Sequence, residues 1–278
     1  MDQLSGLRQI LREQTVFEPP QPAAFPWIWS ICSGKGGTGK SLLAAGAALT
    51  LARQGKKVLL LDGDFNLPGL QVFFNHLEIS NFFDHAADTL QIGNFISEIN
   101  SYLHVLMPKF SQPLTSERQM QLLLAVRQQL LPEYEILVAD LPAGFSGIHR
   151  WFAENSRLVT IIIGQDYGSF ANSYALIKLM KQVSPSLNVG IWVNQTENEK
   201  KARLLHRKLN LALDHFLKQS VEFHGWLPFI SKIQEELADT HPMILWPGDM
   251  DFFRRLKSNL IRQIPVLTRN EVALHAHI

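Results

Sequence analysis

The sequence predicts an α/β fold that is built on a doubly wound, mostly parallel sheet with helices on both faces. Two observations lead to this prediction. Short apolar runs that are typical of buried strands alternate along the chain with stretches that have helical spacing or are rich in alanine and leucine. A glycine-rich loop at residues 34–41 lies directly between one such strand and one such helix. Strands that are separated by helices pair in parallel, and parallel sheets are covered on both faces.

The predicted elements follow one another in a regular order. Strands are expected at 27–32, 57–64, 103–108, 134–140, 158–164, 188–194 and 221–227, and helices at 42–51, 117–131, 170–181, 199–219 and 232–240. Residues 66–100 are mixed, and short helices are expected there at 81–84 and 92–99. The chain is therefore divided into an N-terminal helix and proline-rich linker at 1–25, a P-loop domain at 26–249, and a C-terminal amphipathic helix and tail at 250–278.

The glycine-rich loop has the spacing of a phosphate-binding P-loop. It fits the pattern Gly-x-x-x-x-Gly-Lys-Ser/Thr at every required position, through Gly34, Lys35, Gly36, Gly37, Thr38, Gly39, Lys40 and Ser41. The glycines let the backbone turn its N–H groups onto phosphate oxygens, and the helix that follows adds donors and partial positive charge. Lys40 is expected to reach the β- and γ-phosphates, and the Ser41 hydroxyl is expected to bind Mg²⁺. The loop predicts nucleotide binding.

Carboxylates follow two of the predicted strands. Asp62 and Asp64 end the strand after the P-loop helix, and Asp140 ends the apolar run that begins at residue 134. Ligands of open parallel sheets bind at the carboxyl ends of the strands, so all three are expected near the P-loop. An apolar run that ends on Asp is a Walker B pattern, and its carboxylate holds Mg²⁺. A turn made by Asp62-Gly63-Asp64 is the simpler structural alternative.

Composition limits the classes of function. The chain has 278 residues with 46% hydrophobic and 18% charged residues, which suits a large folded domain. A formal net charge of +1 argues against a strongly basic nucleic-acid binder. The single cysteine, Cys32, suits a reducing cytosol and excludes a cluster held by several cysteines. No apolar run approaches the length of a membrane span.

Both terminal segments have amphipathic patterns that allow two interpretations. Residues 2–14 place leucines on one helical face before a proline-rich tether, which indicates either a docking peptide or a frayed end. At residues 250–264, one helical face carries Phe252, Phe253, Leu256 and Leu260, with arginines and lysine beside it. Bulky apolar and cationic residues together are typical of a helix at a membrane surface, but a last helix packed on the domain has the same pattern.

Taken together, these motifs resemble those of the MinD/ParA group of ATPases. Lys35 after the first glycine matches the deviant Walker A loop of that group, as do Asp62 with Asp64 and the segment 140–144. The resemblance implies that ATP closes two subunits face to face and that Lys35 contacts the nucleotide of the partner. It further implies that Asp64 orients the attacking water, that Asp62 lies near Mg²⁺ and that Asn194 reads adenine.

Within this group the chain resembles the flagellar regulators FlhG, FleN and YlxH over nearly its whole length. The N-terminal segment 2–8 is similar to the motif by which that family docks on the GTPase FlhF, and Ala175 to Lys178 resembles a helix of the family. The resemblance implies that Gln3, Leu7 and Arg8 bind FlhF and that Gln3 stimulates GTP hydrolysis. The family's Pro-Glu-Pro stretch is replaced here by Gln165, Asp166 and Tyr167.

These inferences predict a cytoplasmic ATP hydrolase, peripheral at the inner face of the cell membrane, that uses ATP and Mg²⁺ and controls flagellar number and placement. Its expected partners are a second copy of the chain, an FlhF-type GTPase, and flagellar switch proteins or a transcription regulator. One alternative is a ParA-like partition ATPase that binds DNA through the basic run at 200–208, although that run is also typical of a solvated face. Another alternative is an adaptor that binds nucleotide with little hydrolysis.

Overall fold

The computed structural model describes residues 27–74, 92–108, 110, 113–239 and 241–263. The predicted docking element with Gln3, Leu7 and Arg8, the short helix expected at 81–84 and the tail after residue 263 lie outside the described residues. The predictions for these segments therefore stay predictions.

A single sheet of eight strands organises the described residues. Its strands are β1 (Trp27–Ser33), β2 (Val58–Asp62), β3 (Ile96–Asn100), β4 (Leu103–Leu106), β5 (Ile136–Ala143), β6 (Leu158–Ile163), β7 (Val189–Val193) and β8 (Glu222–Trp226). Their order across the sheet is β3-β4-β2-β5-β1-β6-β7-β8, and every neighbouring pair is parallel except β3 with β4. The predicted fold class is confirmed.

Helices cover the sheet on both faces. They are α1 (Lys40–Ala52), α2 (Ser116–Ala125), α3 (Gly147–Asn155), α4 (Tyr167–Val183), α5 (Glu199–Leu217), α6 (Ser231–Ala238) and α7 (Asp251–Gln263). One core layer joins the sheet to α2, α3, α4 and α5, and the other joins it to α1, α6 and α7. In β2, Leu59 and Leu61 enter the first layer while Val58 and Leu60 enter the second, because successive side chains of a strand point to opposite faces.

Three elements differ in detail from the sequence prediction. Residues 92–99 form a 3₁₀ turn at Ile92–Phe95 and then the antiparallel edge strand β3, instead of a short helix. The helix predicted at 117–131 is α2, followed by a π turn at Val126–Leu130 and a 3₁₀ turn that contains Pro132. Strand β5 continues past Asp140 through Pro142, and its register against β1 shifts between Ile31 and Ser33. Proline has no N–H to donate, which fits an irregular ladder at this point.

The structure corrects the prediction that the apolar face of the last helix is available to a membrane. Phe252, Phe253, Leu256 and Leu260 are 0 to 3% exposed and belong to the core layer around α1. A Cβ added at Gly46 of α1 would lie 2.5 Å from the ring of Phe252, so the two helices approach closely. The amphipathic pattern is thus satisfied by packing on the domain. No helix in the described part of the chain is both long and apolar enough to span a bilayer.

Candidate nucleotide-binding site

The P-loop connects the end of β1 to the start of α1 with a strongly curved backbone. Gly37 and Gly39 have φ angles of +74° and +90°, which favour glycine, and Gly39 is the residue that precedes α1. Gly34 is required for a different reason, because an added Cβ would lie 2.4 Å from the backbone of Asn172 in α4. The loop is therefore seated against α4 at one end and opens α1 at the other.

Asn194 supports the P-loop from the end of β7. Its Nδ2 donates a hydrogen bond of 2.8 Å to the carbonyl of Thr38, and its side chain is buried. A Cβ at Gly39 would lie 2.3 Å from the same nitrogen. The structure thus places Asn194 against the loop itself, and the adenine-reading role implied by the resemblance is not tested by these contacts.

Asp140 lies beside the P-loop lysine and serine. It is 5% exposed, and both Ser41 and Lys40 lie close enough to act on its charge. Burial raises the pKa of Asp140 to about 7, while Lys40 and Ser41 lower it by less. A cation next to this carboxylate would favour its charged form.

Asp62 lies opposite Asp140 on the neighbouring strand, and its carboxylate is engaged by the backbone. Oδ1 accepts from the N–H of Asp64 at 3.0 Å, and Oδ2 accepts from Gly69 and Leu70 at 2.7 and 3.0 Å. Burial, partly offset by these bonds, raises its pKa. Asp62 therefore holds loop 63–70, and the position near Mg²⁺ that the resemblance implies stays a prediction.

Asp64 is less buried and lies at the mouth of the site. One of its oxygens, Oδ1, accepts from the N–H of Leu67 at 3.1 Å, which closes a short turn. The side chain follows β2 at the carboxyl edge of the sheet, where the P-loop and Asp140 also lie. Its position suits a group that contacts solvent next to the phosphates.

Lys35 occupies the outer side of the P-loop. Its Nζ lies 3.0 Å from Oδ1 of Asp166, and the two side chains are 50% and 51% exposed. Asp166 also caps α4, because the same oxygen accepts from the N–H of Ser169 at 2.9 Å. The hydrogen bond from Ser169 has the larger effect and the ion pair with Lys35 the smaller one, and both lower the pKa of Asp166. Asp166 is one of the three residues that replace the family's Pro-Glu-Pro stretch in this sequence.

His149 is a residue near the site that the sequence did not single out. It lies in the first turn of α3 and is fully buried, and both ring nitrogens contact the loop that follows Asp140. Burial lowers its pKa to about 4; its bond to Pro142 opposes this shift, and Lys40 adds to it. A histidine nine residues after a Walker B aspartate matches no sequence motif, so its contact with the site is visible only in the fold.

The residues present fit a nucleotide with Mg²⁺. The buried Oδ1 of Asp140 accepts no hydrogen bond within the described residues, and Thr38 Oγ1 is likewise buried there without a partner. No group of three His, Cys, Asp or Glu side chains in the described ranges could hold a metal alone. Mg²⁺ commonly takes one or two protein ligands together with waters and phosphate oxygens, and Oδ1 of Asp140 can be one such ligand.

The basic run on α5, considered above as a DNA-binding surface, is partly neutralised. Lys201 pairs with Glu197 at 2.5 Å, and Arg203 pairs with Glu199 at 2.7 Å. The Arg203–Glu199 pair has the i,i+4 spacing of a solvated helix surface, and Glu197 lies just before the first turn of α5. This arrangement favours the simpler interpretation of the run.

The fold and the site together define a P-loop nucleotide-binding protein of the doubly wound α/β class. Residues 29–242 match the CobQ/CobB/MinD/ParA nucleotide binding domain. The chain belongs to this family, and it is a P-loop ATP hydrolase of the MinD/ParA type.

Two relatives and one solved structure illustrate the similarity. The antiactivator FleN of Pseudomonas aeruginosa is 24% identical over 221 residues, which cover 75% of each chain. The iron-sulfur cluster carrier protein of Escherichia coli K12 is 23% identical over 257 residues, covering 85% of this chain and 66% of the carrier. The MinD cell division protein of Aquifex aeolicus superposes with a TM-score of 0.65 at 21% identity, covering 85% of this chain and 95% of MinD. The resemblance to the MinD/ParA group and its flagellar regulators is confirmed.

Proposed function

We propose that this chain is an ATP-dependent switch of the FlhG/FleN type that controls flagellar number and placement. In this proposal ATP and Mg²⁺ bind at the P-loop, two copies close over the nucleotides, and hydrolysis returns the single chain. The similarity to FleN supports the flagellar assignment. The observation that carries the switch mechanism is Lys35, which is half-exposed at the rim of the P-loop.

Mg²⁺, when bound, would neutralise the charge on the β- and γ-phosphates. Asp140 and Ser41 would hold it, with Asp140 acting through the oxygen that lacks a hydrogen bond. Lys40 would bind the phosphates, and Asp64 would orient the attacking water from the mouth of the site. Positioning and charge neutralisation account for most of the rate in such phosphoryl transfers.

Exposed apolar side chains at the rim of the site, the edge of the sheet that carries the P-loop, support closure against a second copy. Leu67, Phe145, Tyr167 and Phe229 are 79%, 36%, 86% and 59% exposed, and each follows the carboxyl end of a strand of the sheet. These side chains therefore lie at the same edge as the P-loop. Exposed aromatic and aliphatic residues around a polar centre are typical of an interaction surface.

We do not propose that this chain binds an iron-sulfur cluster, although it is similar to the iron-sulfur cluster carrier protein. The sequence contains one cysteine, Cys32, which is buried in β1. Burial raises the pKa of its thiol to about 12, whereas a cluster is bound by thiolates. Two copies would supply two such cysteines, and both would lie inside the sheets.

The flagellar assignment is tested with the full chain and an FlhF-type GTPase. We expect the wild-type chain to stimulate GTP hydrolysis and Gln3→Ala to lose that stimulation. Lys40→Ala, measured in parallel for ATP hydrolysis, should be inactive because the phosphates lose their cation. A wild-type chain that hydrolyses ATP but leaves the GTPase unchanged would refute the FlhF part and retain the ATPase.

A further inference from the structure

His149 joins the start of α3 to the strand that presents Asp140. Its Nε2 lies 3.0 Å from the carbonyl oxygen of Pro142. Its Nδ1 lies 3.2 Å from the backbone nitrogen of Ser146 and 3.1 Å from the Ser146 hydroxyl. The ring thus spans the turn 142–146 from inside, and no water-exposed surface of the ring remains.

The partners of the ring fix its protonation state. A carbonyl can only accept, so Nε2 must carry the hydrogen that is donated to Pro142. A backbone N–H can only donate, so Nδ1 must be the acceptor for Ser146. The neutral Nε2–H tautomer satisfies both bonds, and a second proton at Nδ1 would set two N–H groups against each other.

The turn that the ring spans is tied to the nucleotide site on both sides. The carbonyl of Asp140 accepts from Gly63 at 2.8 Å, and the N–H of Gly144 donates to Ser33, at the start of the P-loop, at 3.0 Å. Pro142 lies between these two anchors. Its own nitrogen cannot donate, so its carbonyl is the group through which the strand end can be held at this position.

We propose that His149 is a positioning residue for ATP hydrolysis, acting through the Nε2–H···O=C bond to Pro142. This bond holds the strand end so that Asp140 faces Ser41 and Lys40 while Gly144 stays on Ser33. The inference deepens the proposed ATPase function and rests on it. His149 itself is not placed against the nucleotide.

A simpler role for the same residue is helix capping, and the two roles use different ring nitrogens. His149 and Ser146 form a capping box at the start of α3, in which Nδ1 accepts from Ser146 and the Ser146 side chain accepts from the backbone N–H of His149. An Asn at position 149 can place an oxygen near the location of Nδ1 and so retain the cap. A Gln can place an N–H near the location of Nε2 and so retain the bond to Pro142.

The test compares His149→Asn, His149→Gln and Ser146→Ala in the full chain. Two quantities are measured: amide hydrogen exchange over residues 141–147 without nucleotide, and kcat and KM for ATP. We expect His149→Asn to raise exchange and to lower kcat on the order of tenfold or more with little change in KM, because small displacements of a catalytic group are costly. His149→Gln should restore most of both quantities. Ser146→Ala should lower the melting temperature with kcat close to that of the wild type.

Equal effects of Asn and Gln on exchange and kcat would overturn the proposal, as would a loss of kcat in Ser146→Ala that matches His149→Asn. A wild-type chain without ATP hydrolysis would refute the proposed function separately. In that case the exchange comparison still decides whether the Pro142 bond holds the turn.

Discussion

At the scale of single residues, a buried series of hydrogen bonds connects side chains of β1, β6 and β8, away from the nucleotide site. Trp29 Nε1 donates to Thr160 Oγ1 at 2.8 Å, and Thr160 Oγ1 lies 2.9 Å from His224 Nδ1. Since the hydroxyl accepts from Trp29, it can donate to His224 and favour the neutral ring. Burial, with a smaller effect of His206, lowers the pKa of His224 from 6.5 to about 3.

This shift predicts acid sensitivity of the fold. The unfolded chain takes up a proton at His224 below pH 6.5, whereas the folded chain takes it up only near pH 3. The neutral histidine therefore stabilises the fold fully above pH 6.5, and this stability is lost as pH falls to 3, by on the order of 3–5 kcal/mol.

We expect His224→Gln to flatten the dependence of the unfolding free energy on pH, measured by urea denaturation. His215→Gln, which changes an exposed histidine, is the matched control variant. A curve for His224→Gln that runs parallel to the wild-type curve would contradict the prediction.

At the scale of elements, the packing of α7 on α1 gives a direct test of where the amphipathic face lies. Phe252 is fully buried among Trp246, Phe253 and Gly46, whereas Phe216 on α5 is 70% exposed. We expect Phe252→Ala to lower the unfolding free energy by about 3–5 kcal/mol, as buried phenylalanines do. Phe216→Ala should change it by about 0.5 kcal/mol or less. Urea denaturation curves that are alike for both variants would show that α7 is detached in solution.

The case of α7 shows what the sequence could and could not predict. The period of apolar residues at 252–260 correctly indicated a helix with one apolar face. The same period serves a membrane surface and a protein core, so it could not say what covers that face. The covering surface includes Gly46, which lies about 200 residues earlier, in α1, and has no local link to α7.

In the nucleotide site, too, some residues could be predicted from the sequence and the roles of others only from the fold. The P-loop and Asp140 were predicted because their chemistry is encoded in a few adjacent residues between a strand and a helix. The roles of Asp62, Asn194 and His149 depend on loops that return to the site, and their hydrogen-bond partners are visible only in the fold. The edge strand β3 was missed because its residues 96–100 are only partly buried and lack a continuous apolar run.

At the scale of the whole molecule, the Lys35–Asp166 pair competes with the proposed closure of two copies. Lys35 can bind the nucleotide of a partner only after its ammonium leaves Asp166, 3.0 Å away. Lys35→Ala should therefore abolish dimer formation with a non-hydrolysable ATP analogue and Mg²⁺ while nucleotide binding persists. Asp166→Asn is a matched variant that removes the charge and keeps an asparagine cap for α4.

We expect Asp166→Asn to strengthen dimerisation about two- to fivefold, a modest factor because exposed ion pairs are weak. Light scattering after gel filtration, over a range of protein concentrations, measures the dimer constant. The advantage over wild type should shrink at high salt, since salt already screens the pair in the wild-type chain. A dimer constant equal to that of wild type at low salt would show that Asp166 does not compete for Lys35. A Lys35→Ala chain that still dimerises with the analogue would remove Lys35 from the mechanism, and the exposed apolar rim around Tyr167 would then be the surface to change next.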